Sequence, residues 1–94
     1  MSRILLTGGS GLLGTELQKH LKVIAPSHKK MDILRPETYI KDDFDIVIHA
    51  AAYTDLVKAE KEDKTLCYMM NVLATKWLRE FYKDSKFVYI SSEY

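Results

Sequence analysis

Four glycines, Gly8, Gly9, Gly11 and Gly14, follow the apolar run Ile4-Leu5-Leu6 and precede a stretch with helical spacing. Glycine reaches positive φ without steric cost and lets a ligand approach the main chain closely, so such a cluster at a strand-to-helix junction has the chemistry of a phosphate cradle. Main-chain N–H groups and the positive end of the helix would face the phosphates, Gly14 would let the helix pack closely on the sheet, and Leu12 and Leu13 would dock it. Two spacings coexist, Gly9-x-Gly11-x-x-Gly14 and Gly8-x-x-Gly11-x-x-Gly14, with Ser10 inside both. Either register suits the pyrophosphate of a dinucleotide.

An NAD-selective site would carry an acid near the end of the second strand, about 20 residues beyond the glycines, to accept from the ribose 2′-hydroxyl. Ser27-His28-Lys29-Lys30 fill that region instead. A hydroxyl among cations attracts a 2′-phosphate, so NADP(H) is expected over NAD(H), with Ser27 and His28 as contacts.

These residues need elements to position them. Arg3 to Thr7 is nearly all apolar, as a parallel strand covered on both faces should be. Leu12, Leu13, Leu17 and Leu21 recur at helical spacing, with Glu16, Gln18, Lys19 and Lys22 opposite, giving a helix that ends near Leu21. Val23-Ile24-Ala25 reads as strand two, stopped by Pro26. Pro36 suits the first turn of a short helix running to about Lys41, and Asp42 to Asp45 form a turn. Ile46 to Ala50 is the clearest buried strand, the third, with His49 read as a satisfied residue near its end rather than a base. The charges from Lys58 to Lys64 read as a solvated helix face. Leu66, Met69, Met70, Leu73, Trp77, Leu78 and Phe81 trace the core face of a long helix, and Lys86 to Ile90 form strand four. The expected fold is therefore α/β, a three-layer parallel-sheet Rossmann arrangement of about four strands in the order 3-2-1-4. Strands one and four would flank the switch point, where Gly8 to Gly14, Ala50 to Thr54 and Ser91 to Tyr94 converge.

Fourteen basic and thirteen acidic residues leave a net charge of +1, which gives no electrostatic footprint for nucleic acid or an anionic membrane. Cys67 is the sole cysteine and cannot form an internal disulfide, and no leader or membrane-spanning run is visible, so the chain reads as cytoplasmic. No His/Cys/Asp cluster suggests a metal. At 94 residues there is room for one domain but few strands, so residues 1–94 read as the N-terminal part of an NAD(P)-binding domain. The outer edge of strand four would then lack a partner, and self-association is expected.

Thr7-Gly8-x-x-Gly11-x-Leu13-Gly14, Met31-Asp32-Ile33, His49-Ala50-Ala51-Ala52-Tyr53-Thr54 followed by Ala59-Glu60, Asn71-Val72-x-Ala74-Thr75, and Tyr89-Ile90-Ser91-Ser92-Glu93-Tyr94 stand in order along the chain. Their order and spacing resemble the extended short-chain dehydrogenases/reductases. Within that superfamily the chain is most similar to the dTDP-4-dehydrorhamnose reductase family, and nearly as similar to the related regulatory subunit of methionine adenosyltransferase. The resemblance covers the whole chain but only the front part of either.

What the resemblance implies is a reductase of 4-keto nucleotide sugars or, alternatively, a non-catalytic NADP-binding regulatory subunit. Gly11, Leu12 and Leu13 would meet the pyrophosphate, Asp32 and Ile33 the adenine, and Ala51, Ala52 and Tyr53 the ribose of the nicotinamide half. Asn71 would brace that region, and Ile90 would be a further cofactor-binding residue. Ser92 would be the catalytic hydroxyl that holds the substrate carbonyl oxygen, while a tyrosine paired with a lysine protonates it. Glu93 stands where this group usually has an Asp against the substrate. The family's Tyr-x-x-x-Lys is expected after Ser92. Tyr82 and Lys86 have that spacing but precede Ser92, and Lys86 opens a strand, so the pair reads as coincidence.

Overall fold

The computed structural model describes residues 2–9, 11–50 and 64–90, and for Leu12 and residues 64–71 the backbone alone. Three parallel strands, β1 (Ile4–Thr7), β2 (Ile46–His49) and β3 (Lys86–Tyr89), form one sheet in the order β1-β2-β3. Thr7 stands level with His49, and His49 with Tyr89. The helices are α1 (Leu12–His20) and α2 (Lys64–Phe81).

Alternation along the strands sorts the core into two faces. On one, Leu5 and Val47 are buried with Met31, Ile33, Tyr39, Phe44, Ala74, Leu78 and Tyr82, so α2 and the segment before β2 share that side. On the other, Leu6, Ile48 and Ala50 pack with Leu13 and Leu17 of α1. The sheet is thus the middle of three layers, as the α/β expectation required.

The strand order departs from 3-2-1-4. Ile24 pairs with Leu5 only as an isolated parallel bridge, held by Leu6 N–H to the Ile24 carbonyl at 2.9 Å and Ile24 N–H to the Ile4 carbonyl at 2.8 Å. In a parallel ladder the next donor would come from residue 26, and Pro26 has none, so the expected second strand is one residue long. The chain then crosses back over Leu5, anchored by Met31, Ile33, Tyr39 and Phe44, and delivers Ile46 to the opposite flank of β1. The order, counting the Ile24 bridge as the second strand, is 2-1-3-4. Strand three belongs in the middle because its apolar side chains need cover on both faces, and Val47, Ile48 and His49 are all buried.

Two local expectations also change. The short helix is a single 3-10 turn, Pro36–Thr38, flanked by hydrogen bonds from Thr38 Oγ1 to the carbonyls of Asp32 at 3.0 Å and Arg35 at 2.7 Å. The buried stripe of α2 is rotated only in part: Leu78 is buried and Trp77 packs on the core as the spacing predicts, and the side chains of Leu66, Met69 and Met70 lie outside the described residues. Ala74 and Leu78, with Tyr82 just beyond the helix, lie in the core, whereas Leu73 is 44% and Phe81 38% exposed. The aromatic cluster explains the rotation. Tyr82 stacks on Tyr39 at 6.2 Å, meets Phe44 edge-on at 5.8 Å and donates its hydroxyl to the Ile40 carbonyl at 2.7 Å, and this fixes which side of the helix end faces inward.

Candidate functional site

The chain leaves β1 on one flank, through α1 to Ile24, and returns on the other through β2. The connections after β1 and β2 lie on opposite faces, so the crevice opens between the carboxyl ends of these two strands rather than between strands one and four. The glycine turn leaves directly from the β1 end of that crevice.

Gly8 adopts φ 76°, a left-handed conformation that glycine alone takes without strain. The turn closes with Gly11 N–H on the Gly8 carbonyl at 3.1 Å, and α1 begins with Thr15 N–H on the Gly11 carbonyl at 2.8 Å. Gly14 could carry no side chain, because a Cβ there would lie 2.1 Å from the Gly8 carbonyl oxygen. Positive φ at Gly8 and close approach at Gly14 are the features that the Gly8-x-x-Gly11-x-x-Gly14 register requires. Gly9 is confined as well, since its Cβ would meet Ala25 Cβ at 2.9 Å. The helix N-cap, Gly11, supplies no side-chain hydrogen bond, and the first turn contains no acid. The N–H groups of that turn lack intrahelical acceptors and face no competing carboxylate of their own turn, an arrangement suited to an anion.

Contact between Gly9 and Ala25 sets the start of the basic loop beside the turn. Ser27, His28, Lys29 and Lys30 are exposed, in a turn closed by Lys30 N–H and Met31 N–H on the Ser27 carbonyl, both at 3.0 Å. Asp32 is committed locally: its Oδ1 accepts Leu34 N–H at 2.9 Å, and its Oδ2 lies 3.8 Å from His28 Nε2. Ile33 points into the core at 7% exposure, so any contact it makes with a ligand runs through its backbone. Ile90 is half-buried, its N–H on the His49 carbonyl at 3.1 Å, one residue past β3.

At the mouth of the crevice Thr7 Oγ1 and His49 Nδ1 share a 2.6 Å hydrogen bond. His49 is fully buried, and among the described residues its Nε2 has no hydrogen-bond partner. Burial pushes its pKa down from 6.5 to about 4. The ring is therefore neutral at pH 7, and its role is to tie β1 to β2 across the sheet. Tyr82 is equally occupied: burial raises its phenol to about 12, with the nearby Tyr39 adding to the rise. With its hydroxyl on Ile40 it is a core residue, which agrees with reading Tyr82-x-x-x-Lys86 as coincidence.

Ser10, Ala51, Ala52, Tyr53, Ser92 and Glu93 lie outside the described residues, as does the Asn71 side chain, although its backbone is within α2. The structure adds Gln18, whose Nε2 donates to the carbonyls of Gly9 at 2.8 Å and Gly14 at 3.1 Å. The sequence presents Gln18 as one more polar residue on the outer face of α1, and its spacing of four from Gly14 was the only signal. No described helix is long and apolar enough to cross a membrane.

The RmlD substrate binding domain family model matches residues 1–94. A dTDP-4-dehydrorhamnose reductase from Aggregatibacter actinomycetemcomitans is 33% identical over 106 residues, covering 100% of this chain and 36% of that relative. The spore coat polysaccharide biosynthesis protein SpsK of Bacillus subtilis (strain 168) is 34% identical over 107 residues, again covering all of this chain and 37% of the relative. A crystal structure of dTDP-4-dehydrorhamnose reductase from Bacillus anthracis str. Ames in complex with NADP superposes with a TM-score of 0.77 at 30% identity, over 97% of this chain and 36% of that one. The chain thus spans little more than a third of the length of the relatives it matches. With the glycine turn, the crevice between β1 and β2 and the full-length match in agreement, the chain belongs to the RmlD substrate binding domain family.

Proposed function

We propose that residues 1–94 form the cofactor-binding N-terminal portion of an NADP(H)-dependent reductase of 4-keto nucleotide sugars, of the dTDP-4-dehydrorhamnose reductase type. The observation that carries this reading is the turn at Gly8 to Gly14, where positive φ, a contact too close for any Cβ and an uncapped helix coincide at a switch-point crevice. The full-length match to the family and to a structure in complex with NADP supports it. The alternative, a regulatory subunit, is not favoured, because the two named relatives are a reductase and a polysaccharide biosynthesis protein.

In this reading Gly8, Ser10, Gly11, Leu12, Leu13 and Gly14 hold the pyrophosphate. Ser27 and His28, with Lys29 and Lys30, receive the 2′-phosphate and favour NADP(H) over NAD(H). Asp32 and the Ile33 backbone border the adenine, while Ala51, Ala52, Tyr53, Asn71 and Ile90 border the nicotinamide half. The nicotinamide, when bound, supplies hydride. Ser92 holds the substrate carbonyl oxygen and Glu93 contacts the sugar. Tyr82 is unavailable as the proton donor because its hydroxyl is buried and committed to Ile40. The donor in this reading is a tyrosine other than Tyr82. The setting is cytoplasmic. Among the described strands β3 pairs only with β2, and its open edge, with Tyr89 47% exposed, favours self-association.

Calorimetric titration with NADPH and NADH tests the cofactor assignment, and tighter binding of NADH overturns the preference. Oxidation of NADPH with a dTDP-4-keto sugar that is lost in Tyr82→Phe would refute the claim that another tyrosine is the donor. Sedimentation velocity at high concentration checks self-association, with a monomer counting against it.

A further inference from the structure

The Gln18 carboxamide sits where the glycine turn meets α1. Its two acceptors, the Gly9 and Gly14 oxygens, are both carbonyls, so the amide nitrogen rather than the amide oxygen faces them, and its two hydrogens can serve one each. Gly9 belongs to the turn and Gly14 to the first turn of the helix, so one side chain straps the loop to the element it leads into. The contact is close as well as polar, since a Cβ on Gly9 would lie 3.2 Å from Gln18 Nε2 and 2.9 Å from Ala25 Cβ. Gly9 is therefore gripped from both sides. The other side-chain donor to its carbonyl, Thr15 Oγ1, is 3.4 Å away and leaves most of the work to Gln18.

We infer that Gln18 is a positioning residue for the phosphate cradle. Because the peptide unit is planar, fixing the Gly9 carbonyl fixes the plane of the peptide that carries it. The strap also removes two carbonyl oxygens from the set that could face an incoming anion. Glycine-rich main chain is otherwise costly to order, and presetting it lowers the cost that binding must meet. Gln18 thus acts on the pyrophosphate through the Gly9 peptide. This inference rests on the reading that the turn cradles a dinucleotide pyrophosphate.

The test uses two variants: Gln18→Met, of similar length with no donor, and Gln18→Glu, of the same shape with an acceptor where the donor was. Each is titrated with NADPH and with adenosine 2′-monophosphate, which carries the 2′-phosphate but no pyrophosphate. Losing two hydrogen bonds of ordinary net strength predicts about a tenfold weaker NADPH affinity in Gln18→Met and a larger loss in Gln18→Glu. Affinity for adenosine 2′-monophosphate should stay as in the parent chain. Unchanged NADPH affinity in both variants, or an equal loss for both ligands, overturns the positioning role while leaving the cofactor reading intact. Failure of the parent chain to bind NADPH overturns the cofactor reading, and the positioning role with it.

Discussion

Lowering the pH from 7 to 5 should weaken the fold through one residue, His49. In the folded chain its ring is fully buried and its pKa is pushed down from 6.5 to about 4, whereas the unfolded chain regains the ordinary value. Between those values the unfolded state binds the proton first. The stabilising contribution of His49 is therefore complete above pH 6.5 and is lost as the pH falls towards 4. A fall from 6.5 to about 4 corresponds to about 3 kcal/mol in total, of which about 2 kcal/mol is lost by pH 5. The control is His49→Asn, whose side-chain amide reaches roughly where ring Nδ1 stood and so keeps a partner for Thr7, but does not titrate. Urea unfolding of both proteins at pH 7 and pH 5 separates this effect from the carboxylates, which are common to both. The variant starts less stable because the smaller side chain leaves a gap, yet its stability should fall by about 2 kcal/mol less than the parent's over that interval. Parallel pH dependence in the two proteins would refute the reasoning, as would a His49 ring that titrates near 6.5 by NMR in the folded chain.

Other perturbations follow from the geometry. Gly14→Ala drives a Cβ against the Gly8 carbonyl and should cost about 1–3 kcal/mol in chemical unfolding while abolishing NADPH binding; a variant that binds normally would show that the turn can shift at no cost. Gly8→Ala imposes positive φ on a residue with a Cβ, for a loss of about 1–2 kcal/mol by the same measurement. Tyr39 and Tyr82 are both raised to about 12, so between pH 10 and 12 the unfolded chain loses protons that the folded chain retains. Stability is complete below pH 10 and falls as the pH rises through that window, and phenolate absorbance should appear together with loss of helical circular dichroism. Tyr82→Phe leaves the Ile40 carbonyl without its donor and should cost about 1–2 kcal/mol in thermal unfolding.

Short runs that are mostly apolar make β1, β2 and β3 legible, β2 above all, because a strand covered on both faces has to be apolar along its length. The helices were legible for the same reason, through their spacing. Strand order was not, because it depends on distant pairing: Pro26 withholds the donor that would extend the Ile24 bridge, and four scattered apolar residues, Met31, Ile33, Tyr39 and Phe44, carry the return crossing. In the described end of α2, Leu78 and Trp77 lie where the spacing puts them but Leu73 and Phe81 do not, because the aromatic cluster at Tyr82 decides which side faces inward. At the candidate site Gly8 and Gly14 are legible, since only glycine fits the positive φ of the first and the close backbone approach at the second. Gln18 is not, because the orientation of a carbonyl in a turn is encoded by no residue type. His49 was recognised as polar at a strand end, but its burial follows from a neighbour, Thr7, placed level with it by register.

The one-residue bridge at Ile24 also sets an order of events within the folded state. Two main-chain hydrogen bonds hold that flank to β1, while β2 is bonded along its length on both sides. Amide exchange at Ile24 should thus be governed by a small local opening, and exchange at Val47 and Ile48 by the unfolding of the whole sheet. Each such opening would carry Ala25 away from Gly9 and the loop of Lys29 and Lys30 with it. In the proposed reading, the turn's hold on a phosphate is coupled to this two-bond seam, and an occupied turn would register as slower exchange of the Ile24 amide.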